Sequence, residues 1–541
     1  MGEWTIGGVV DAIAEVVPDR EMTVCGARRS TFAQSAERTR RLANFLAGRG
    51  LGVHAERAAL QNWECGQDRV ALLMHNDLYP DMVIGCLKAR TAPANVNYHY
   101  TPAEAGELLN YLAPRAVIYH AGLEAKFADA LRECGADLLI RIDDGTADAP
   151  VLESISLDDA LAQGEIDQAL TPSPDDVLLV CTGGTTGRPK GVMWRQADLY
   201  VSSMNGADHG DVAEIHDKVA HAGAPWFAVS PLMHAAGMWT AFSGLLSGQT
   251  VVLHDTRSRF DPRTVLETAE REKVGLMTMV GDAYAGPIVE ELGRRPYDLS
   301  SLFAIGTGGA ATNAKHQQAL LEYLPQITVI NGFGSSETGN MAFGHTQHRN
   351  PTAETFQLRV GGLVASDDYT RFLEPGEDAI GWVARNGRIP LGYFEDAAAT
   401  EQVFRQIDGE RVVISGDRAA LDADGTLRLF GRDSLVVNTG GEKVFVEEVE
   451  NVLRAHPQVA DALVVGRPSD RWGEELVAVV ALQPDSDARD EQLAAHCRTV
   501  LAGFKVPKEF VRVQQVRRLG NGKADYRWAK RRVNEEVVTG S

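Results

Sequence analysis

The sequence predicts an α/β protein with three parts: a large domain of helix-covered sheets, a β-rich subdomain and a small, mobile α+β domain at the C-terminal end. Residues 1 to about 170 alternate helical and strand patterns, which is typical of parallel sheets covered by helices. Short strand patterns between residues 381 and 430 indicate the β-rich part. The final hundred residues mix strand and helix patterns again, so we expect a separate small unit there.

Length and composition indicate a globular protein of several units. The chain has 541 residues, of which 44% are apolar and 23% charged, and a yardstick of about 150 residues per domain suggests three or four structural units. The longest uninterrupted apolar run, Leu476 to Leu482, is too short to cross a bilayer. The first residues carry acids and no basic segment, so we expect no secretory signal and a cytoplasmic location.

Charge and cysteine usage exclude several classes of protein. A net charge of −21 argues against a nucleic-acid partner, since binding to a phosphate backbone needs a basic face. The six cysteines are scattered, without a CxxC pair or metal-ligand spacing, so reduced thiols are expected. Gly503 to Ser541 breaks the acidic trend with ten Lys or Arg against four Asp or Glu. This segment is either a solvated terminal helix or a region that approaches a polyanion such as ATP or CoA.

Four elements are clearly specified in the first 110 residues. Phe32 to Leu46 places apolar residues at helical spacing, Arg69 to Met74 is a buried strand pattern, and Tyr79 to Lys88 resumes a helix. Thr101 is placed to cap a further helix, with Pro102 in the first helical position. We expect these elements to be scaffold.

Leu60 to Gln67, which reads LQNWECGQ, stands where only a short connection is expected. The simplest interpretation is a surface loop. An oligomer contact, which would fit a homodimer, and a lid over a site are the alternatives.

The stretch from Asp176 to Tyr200 carries the strongest chemical signal. It opens with a short apolar strand, Val177 to Val180, and continues as a loop rich in glycine and hydroxyl side chains. Glycines that adopt positive φ let backbone N–H groups and hydroxyls turn together toward one anion. We interpret the loop as a polyphosphate cradle composed of Thr182, Gly183, Gly184, Thr185, Thr186, Gly187 and the positively charged Lys190.

A glycine- and threonine-rich surface turn with a solvated lysine is the alternative to this cradle. The number of specified positions in a row after a strand disfavours it. The motif is not a Walker P-loop, because Lys190 is followed by Gly191 instead of Ser or Thr. A kinase or motor ATPase is therefore disfavoured.

Three short signals are weak by themselves. His234 lies among small apolar residues between Ser230 and Trp239, a setting more typical of a satisfied core histidine than of a catalytic one. Lys523 follows an Asn-Gly pair, where a lysine is ordinarily a solvated turn residue. Asn438 to Glu450 pairs a glycine loop with a helix that starts with acids. These signals gain weight only from the motifs around them.

Two glycine loops follow predicted strands in the second half of the chain. Leu302 to Ala311 runs into Gly308, Gly309 and Ala310, where another backbone can approach closely. Val329 to Gly339 follows about twenty residues later and contains Glu337 in a glycine-rich turn. A carboxylate in such a turn is either an exposed surface group or, as we favour, part of a metal-phosphate site.

The β-rich part is predicted between Gly381 and Phe430. Gly381 to Ala384 and Gly392 to Phe394 are its first strand patterns, and Val412 to Asp417 is expected to end it. A hairpin with Asp424-Gly425 as its turn then leads to residue 431. We place the domain boundary there, with residues 1–431 as the N-terminal domain, residues 432–541 as the C-terminal domain and a hinge at residues 432–434.

Together, these motifs resemble those of the adenylate-forming superfamily, which comprises acyl-CoA and aryl-CoA ligases, peptide-synthetase adenylation domains and firefly luciferase. TGGTTGRPKG, from Thr182, is similar to its phosphate-binding signature, and NGFGSSETG, from Asn331, is similar to its YGxTE motif. The continuation GVMWRQADLY is especially similar to actinobacterial fatty-acid and steroid-acid CoA ligases. The resemblance covers nearly the whole chain, and the motifs occur in the expected order.

The resemblance implies a nucleotide site. Phe333 would stack on adenine, Ser336 would meet the α-phosphate and Glu337 would hold Mg²⁺. Asp417 would accept both ribose hydroxyls, and Arg432 would bridge ribose and phosphate. The implied site also includes Gly308, Gly309, Ala310, Asn331, Gly332, Gly334 and Ser335.

The resemblance also implies the catalytic residues, which are Lys523, Glu337, Thr182, Lys190 and His234. Lys523 would bridge the acyl carboxylate and the α-phosphate, and His234 would have a positioning role beside that carboxylate. Gly440 and Gly441 would line the route of a thiol after the small domain has rotated.

The implied activity is that of an ATP-dependent, AMP-forming acyl-CoA synthetase that uses ATP, Mg²⁺ and coenzyme A. An enzyme that loads a carrier protein and a non-catalytic AMP- or acyl-binding protein are the alternatives. Small residues near His234 and Gly309 permit a bulky apolar acid, and the choice among fatty, steroid side-chain and aryl acids stays open. Two positions depart from the family pattern: Ser434 replaces a usual Asp or Lys at the hinge, and Val446 replaces a usual proline. Neither removes a catalytic group.

Overall fold

The computed structural model describes residues 2–146, 149–183, 189–310, 312–347, 355–432, 435–439, 442–469, 473–519 and 523–539. Its helices are α1 (Ile6–Val16), α2 (Phe32–Gly48), α3 (Tyr79–Lys88), α4 (Pro102–Leu112), α5 (Ala121–Glu133), α6 (Leu157–Gln163), α7 (Gln196–Ser203), α8 (Val212–Ala220), α9 (Ala235–Leu245), α10 (Pro262–Arg271), α11 (Gly281–Arg294), α12 (Ala314–Tyr323), α13 (Ala397–Val403), α14 (Val446–Ala455), α15 (Asp490–Val500) and α16 (Tyr526–Thr539). Its strands are β1 (Glu21–Cys25), β2 (Arg28–Thr31), β3 (Arg69–Leu73), β4 (Ala92–Asn95), β5 (Ala116–His120), β6 (Leu138–Ile142), β7 (Ile155–Ser156), β8 (Val177–Gly183), β9 (Pro189–Arg195), β10 (Trp226–Ala228), β11 (Val251–Leu253), β12 (Leu276–Met279), β13 (Ala304–Gly308), β14 (Thr328–Ser335), β15 (Gly339–Thr346), β16 (Thr355–Leu358), β17 (Gly362–Ala365), β18 (Gly381–Arg385), β19 (Gly392–Tyr393), β20 (Phe404–Ile407), β21 (Glu410–Leu421), β22 (Leu427–Arg432), β23 (Val436–Thr439), β24 (Glu442–Phe445), β25 (Val459–Ser469), β26 (Gly473–Leu482) and β27 (Glu509–Val513).

The first sheet has the strand order β19-β9-β8-β4-β3-β5-β6-β7. Strands β3 to β8 pair in parallel, whereas β9 runs antiparallel to β8 and β19 antiparallel to β9. Its central strands β4 and β5 are buried along their whole length, as expected for strands covered on both faces. The predicted strands at residues 69–74 and 177–180 and the helices at residues 32–46 and 79–88 all form where the sequence places them. The predicted alternation of strands and helices therefore builds this part.

The second sheet joins a parallel half to an antiparallel half. Strands β1, β11, β10, β12, β13 and β14 pair in parallel. Strands β15, β16, β22, β21, β18 and β17 continue the sheet in antiparallel pairing. The β-rich part is thus an extension of a parallel sheet, and the carboxyl ends of the parallel strands face the start of the antiparallel half.

Two of the strand predictions for the β-rich part are wrong. Gly392 and Tyr393 form β19, which pairs with β9 of the first sheet through Gly392↔Met193 and Tyr393↔Val192. A strand of two residues has no periodicity that indicates its partner. Strand β21 also continues past Asp417 to Leu421, because a bulge after Arg418 keeps it paired with β22.

Local sequence explains the helix starts. Thr101 accepts a hydrogen bond from the N–H of Glu104, and the Glu104 carboxylate accepts one from the N–H of Thr101, at 3.3 and 2.8 Å. This reciprocal capping box satisfies two backbone donors that the helix leaves unpaired. Pro102 occupies the first helical position, where its missing N–H costs nothing. The predicted cap is confirmed.

The small C-terminal unit has one mixed sheet of five strands. Its order is β24-β23-β26-β25, with β27 parallel to β26. Residues from Leu476 to Ala481 in β26 are almost fully buried, because they pack helices α14 and α15 on one face and α16 on the other. The unit contacts the large one beside β22, where the rings of Phe430 and Phe445 lie 5.8 Å apart. The exact boundary at residues 431 and 432 stays a prediction.

The segment between residues 60 and 67 folds as a loop on the first sheet. The Trp63 carbonyl accepts a hydrogen bond of 2.8 Å from the N–H of Glu395, just after β19, and Arg57 donates to the carbonyl of Glu64 at 2.8 Å. The loop therefore supports the end of β19. A homodimer contact through it stays a prediction. Along the described ranges, no helix is long and apolar enough to cross a membrane.

Candidate active site

Strands β8 and β9 bring the two ends of the predicted phosphate loop together. Their antiparallel register places Thr182 opposite Lys190 and Gly183 opposite Pro189. The apolar run before Thr182 is buried, so the strand fixes where the loop begins. The four loop residues Gly184, Thr185, Thr186 and Gly187 lie outside the described residues. A hydroxyl and an ammonium group therefore flank the mouth of the loop.

The turn between β14 and β15 carries Glu337. The Ser335 hydroxyl accepts hydrogen bonds from the N–H groups of Glu337 and Thr338, both at 3.2 Å, which closes the turn. The carbonyl of Ser336 accepts a hydrogen bond of 2.8 Å from the indole of Trp194 on β9. This bond joins the turn to the strand that carries Lys190, so two motifs far apart in sequence share one site.

Tyr393 lies between these two motifs. Its hydroxyl donates to Oε1 of Glu337 at 3.0 Å, and the ammonium of Lys190 lies 4.9 Å from the centroid of its ring. Lys190 also lies 4.0 Å from the carboxylate of Asp396. Tyr393 is a site residue that sequence reasoning missed, because its motif was assigned to another sheet. The only available signal was the aromatic residue in the Gly392–Phe394 pattern.

Strands β13 and β14 place their glycines in contact. Gly308 pairs with Gly332 in parallel register, and a Cβ atom on Gly308 would lie 3.3 Å from the Gly332 carbonyl oxygen. Gly309 follows with φ +77°, and a Cβ there would lie 3.4 Å from Cβ of Ala236. Ala310 is the next residue along the loop. The predicted acyl-side motif at residues 230–239 and the loop at 308–310 therefore meet.

Asn331 has a different environment from its neighbours in the motif. Its side chain is buried and makes hydrogen bonds to Thr307 at 3.0 Å, Gln317 at 3.1 Å and Thr346 at 3.3 Å. These bonds occupy both ends of the amide and hold Asn331 on β14, and its contact with a nucleotide stays a prediction. Phe333, two residues on, is only half-buried, and its ring lies 5.9 Å from that of Phe356.

The backbone bends sharply at Gly334, between Phe333 and the turn that carries Glu337. A Cβ on Gly334 would lie 2.1 Å from the carbonyl oxygen of Gly339, so only glycine fits this position. The pairing of β14 with β15 shifts register between Phe333 and Gly334. This irregularity aims the Glu337 turn toward β9.

His234 lies just before α9 and faces the small unit. Burial, together with the charges of Lys523 and His99, lowers the pKa of His234 to about 4. Its Nε2 atom is buried and has no hydrogen-bond partner among the described residues. The imidazole is therefore neutral at physiological pH, with its buried Nε2 atom left without a partner among the described residues.

Lys523 belongs to the small unit, yet its charge reaches His234 of the large one. Its carbonyl accepts a hydrogen bond of 2.8 Å from the N–H of Leu519, and its side chain is exposed. Gly440 and Gly441, the other predicted residues of this unit, lie outside the described residues.

Asp417 and Arg432 lie opposite each other on β21 and β22. Asp417 is buried, and its N–H donates to the Ser415 hydroxyl at 3.2 Å. Arg432 is the last residue of β22, at the junction with the small unit. The pairing brings a carboxylate and an arginine position together, as a ribose-phosphate contact would need.

The donor set around Glu337 suits a magnesium ion that arrives with phosphate. Oε1 of Glu337 is held by Tyr393, and no protein hydrogen bond to Oε2 is present in the described part of the chain. No cluster of three or more His, Cys, Asp or Glu side chains able to hold a metal occurs among those residues either. Mg²⁺ commonly binds through one or two carboxylates plus substrate phosphates rather than in an all-protein cage. The site fits that mode.

Family models match most of the chain. The model described as AMP-binding enzyme matches residues 10–377, and the model described as AMP-binding enzyme C-terminal domain matches residues 448–523. The two matches correspond to the large and the small unit.

Curated relatives align over nearly their whole length. The medium-chain acyl-CoA ligase Mig of Mycobacterium avium is 40% identical, covering 99% of this chain and 99% of the relative. The 3-oxocholest-4-en-26-oate–CoA ligase of Rhodococcus rhodochrous is 34% identical, covering 97% of this chain and 95% of the relative.

Solved structures share the fold. The anthranilate CoA ligase AuaEII in complex with anthranoyl-AMP has a TM-score of 0.80 at 20% identity, covering 98% of this chain and 97% of that chain. ATP-bound MatB of Rhodopseudomonas palustris has a TM-score of 0.79 at 21% identity, covering 98% of this chain and 99% of that chain. The family models, the full-length relatives and the shared fold agree, so the chain belongs to the AMP-binding enzymes, the adenylate-forming superfamily that its motifs resemble, and is an acyl-CoA synthetase.

Proposed function

We propose that this enzyme activates a medium-chain or larger apolar carboxylic acid with ATP and transfers the acyl group to coenzyme A. The observation that carries the proposal is the position of Lys523, whose charge reaches the neutral His234 beside the Ala236–Gly309 contact. In the proposed reaction this cation would neutralise charge where the acyl carboxylate and the α-phosphate meet. The small side chains at that contact leave room for an apolar acid.

The first step joins two anions, so it needs positive charge at the reacting centre. A carboxylate oxygen attacks the α-phosphorus, the bond from that phosphorus to the bridging oxygen breaks, and pyrophosphate leaves. Lys523 binds both the carboxylate and the α-phosphate. Thr182 and Lys190, at the mouth of the β8–β9 loop, bind the departing pyrophosphate. His234 orients the carboxylate as a neutral imidazole.

Glu337 would hold Mg²⁺ together with the ATP phosphates, and the ion would neutralise charge on the phosphate oxygens. Tyr393 orients the Glu337 carboxylate for this task. Phe333 contacts adenine, Ser336 meets the α-phosphate, and Asp417 accepts the ribose hydroxyls beside Arg432. These assignments are supported by the place of Phe333 on β14, of Ser336 in the turn after it, and of Asp417 opposite Arg432 in the β21–β22 pairing.

In the second step the thiol sulfur of CoA attacks the acyl carbon, the bond to the AMP oxygen breaks, and the thiol proton passes to solvent. Lys523 occupies the side from which the thiol would approach. We therefore propose that residues 432–541 form the mobile domain and rotate about residues 432–434. This rotation exchanges Lys523 for the loop at Gly440 and Gly441.

The test is CoA-dependent AMP formation with matched panels of fatty acids, aryl acids and steroid side-chain acids. We expect turnover to favour a medium-chain or steroid side-chain acid, as the names of the relatives suggest. Lys523→Ala should lose acyl-AMP formation by about 100-fold or more and retain transfer from pre-made acyl-AMP. The control is Lys530→Ala, an exposed lysine of the same unit, which should leave both half-reactions unchanged.

Two outcomes would contradict the proposal. Pyrophosphate release with no CoA-dependent product would identify a carrier protein as the acceptor. Tight ATP binding without turnover of any acid in the panel would indicate a binding protein.

A further inference from the structure

The orientation of Glu337 involves only the hydroxyl of Tyr393, and the position of its ring has a further consequence. The residue lies on the two-residue strand β19, whose pairing with β9 places it opposite Val192. Its N–H donates to the Thr400 hydroxyl at 2.9 Å, and its side chain is only 6% exposed. The ring therefore has one fixed position, set by a sheet contact on one side and by α13 on the other.

Two opposite charges contact Tyr393 but do not contact each other. The Tyr393 hydroxyl donates to Glu337 at 3.0 Å, and the ammonium of Lys190 lies 4.9 Å from the ring centroid. Both charged residues are described by the structure, and no ion pair within 4.0 Å joins them. A direct pair would neutralise the two groups before a nucleotide arrived, because opposite charges in a partly buried site attract strongly.

Lys190 has a second support on the same segment. Its ammonium lies 4.0 Å from the carboxylate of Asp396, which caps α13 by accepting the N–H of Ala399 at 2.9 Å. This ion pair is long and partly exposed, so it is weak. It gives Lys190 a partner other than Glu337. The segment from Tyr393 to Asp396 thus contacts both charged groups.

We propose that Tyr393 is a positioning residue that separates Glu337 from Lys190 and fixes each of them for its own part of the ATP phosphates. The phenol orients the carboxylate by a charge-assisted hydrogen bond. The ring face supports the ammonium by a cation–π contact. This inference rests on the proposed function, since it assigns Lys190 to phosphate and Glu337 to the metal-phosphate end.

The two contacts can be removed separately. Tyr393→Phe deletes the hydroxyl and keeps the ring, so it should remove the hydrogen bond to Glu337 and leave the contact with Lys190. Tyr393→Leu deletes both contacts and allows Glu337 and Lys190 to pair. ATP affinity is measured twice by calorimetry. In EDTA it reports the contact of Lys190 with phosphate, and with Mg²⁺ present it also reports the contact of Glu337 with the metal-phosphate end.

For Tyr393→Phe we expect ATP affinity in EDTA to stay within about twofold of the wild type. The gain in affinity on adding Mg²⁺ should fall about tenfold, the order expected for one lost hydrogen bond to a charged group. For Tyr393→Leu both affinities should fall.

The matched control is Tyr297→Phe. Tyr297 donates to Glu291 at 2.7 Å, a bond of the same kind outside the site, and its loss should not alter ATP binding in either condition. If Mg²⁺ raises the ATP affinity of Tyr393→Phe as much as that of the wild type, the inference is wrong. This test does not require Tyr393→Leu to fold. Absence of ATP binding by the wild-type enzyme would instead overturn the proposed function itself.

Discussion

His234 shows how burial decides the chemistry of a single residue. Its lowered pKa of about 4 arises first from desolvation and then from the charges of Lys523 and His99. A neutral imidazole can donate its one N–H hydrogen bond to a substrate carboxylate, but it is a poor proton donor at pH 7. This favours the positioning role over proton transfer.

The same shift predicts a pH dependence of stability. An unfolded chain binds the His234 proton near pH 6.5, whereas the folded protein binds it only near pH 4, so the unfolded state holds more protons between these values. The contribution of His234 to stability is therefore present above about pH 6.5 and is lost as the pH falls toward 4. His234→Gln should flatten the fall of the unfolding midpoint between pH 6.5 and pH 4.5. Parallel curves for variant and wild type would contradict the assigned shift.

At the scale of single residues, site residues that lie inside contiguous motifs could be proposed from the sequence. Site residues that are defined by contacts between distant parts of the chain could not. Thr182, Lys190 and Glu337 stand in runs of glycine and hydroxyl residues, a composition typical of phosphate-binding loops. Tyr393 touches Glu337 from 56 positions away along the chain, and its position depends on the β19–β9 pairing. Trp194, which bonds to the Ser336 carbonyl, was missed for the same reason.

The β14–β15 hairpin shows how one element aims a functional group. A carbonyl oxygen of Gly339 occupies the space that a side chain at Gly334 would need. The hairpin could be predicted as a strand and a turn from sequence, because its glycines follow an apolar run. Its bulge and the direction of Glu337 could not, since they arise from close backbone packing that leaves no periodic signal.

Gly334→Ala should therefore displace the turn. A Cβ at 2.1 Å from the Gly339 oxygen forces the two strands apart, and a displacement of about 1 Å at a catalytic group costs on the order of 100-fold in rate. We expect such a loss in acyl-AMP formation, measured as pyrophosphate release. Gly223→Ala, which meets no atom within 4 Å, is the control and should retain activity. Near-normal pyrophosphate release in Gly334→Ala would show that the turn tolerates the opening.

At the scale of the whole molecule, the orientation of the two units defines which half-reaction the site can perform. Lys523 acts on His234 across the boundary, and Gly431 of β22 packs against Glu447 of α14. The two units themselves could be predicted from composition and motif order. Their relative orientation could not, because it depends on a few contacts at the junction and on no repeated pattern.

A reversible cross-link at this junction should separate the half-reactions. A Cβ built on Gly431 lies 3.5 Å from Cβ of Glu447, which is within the range of a disulfide, although a cysteine at its φ of +104° strains the backbone. Oxidised Gly431→Cys/Glu447→Cys should form acyl-AMP in a single turnover but no acyl-CoA, and reduction should restore acyl-CoA formation. The six native cysteines are free, and all but Cys65 are buried, so they should not interfere. The two single variants are the controls, and an oxidised double variant with full CoA-dependent turnover would argue against the rotation.

Strand β19 also has a consequence for the order of assembly during synthesis. Val192 and Met193 of β9 pair with Tyr393 and Gly392, so the strand that ends the phosphate loop lacks this neighbour until the ribosome has added residue 393 of 541. Until then β9 is an unpaired sheet edge, which can pair with other chains. A nascent chain stalled before residue 393 would expose this edge and depend on a chaperone to cover it.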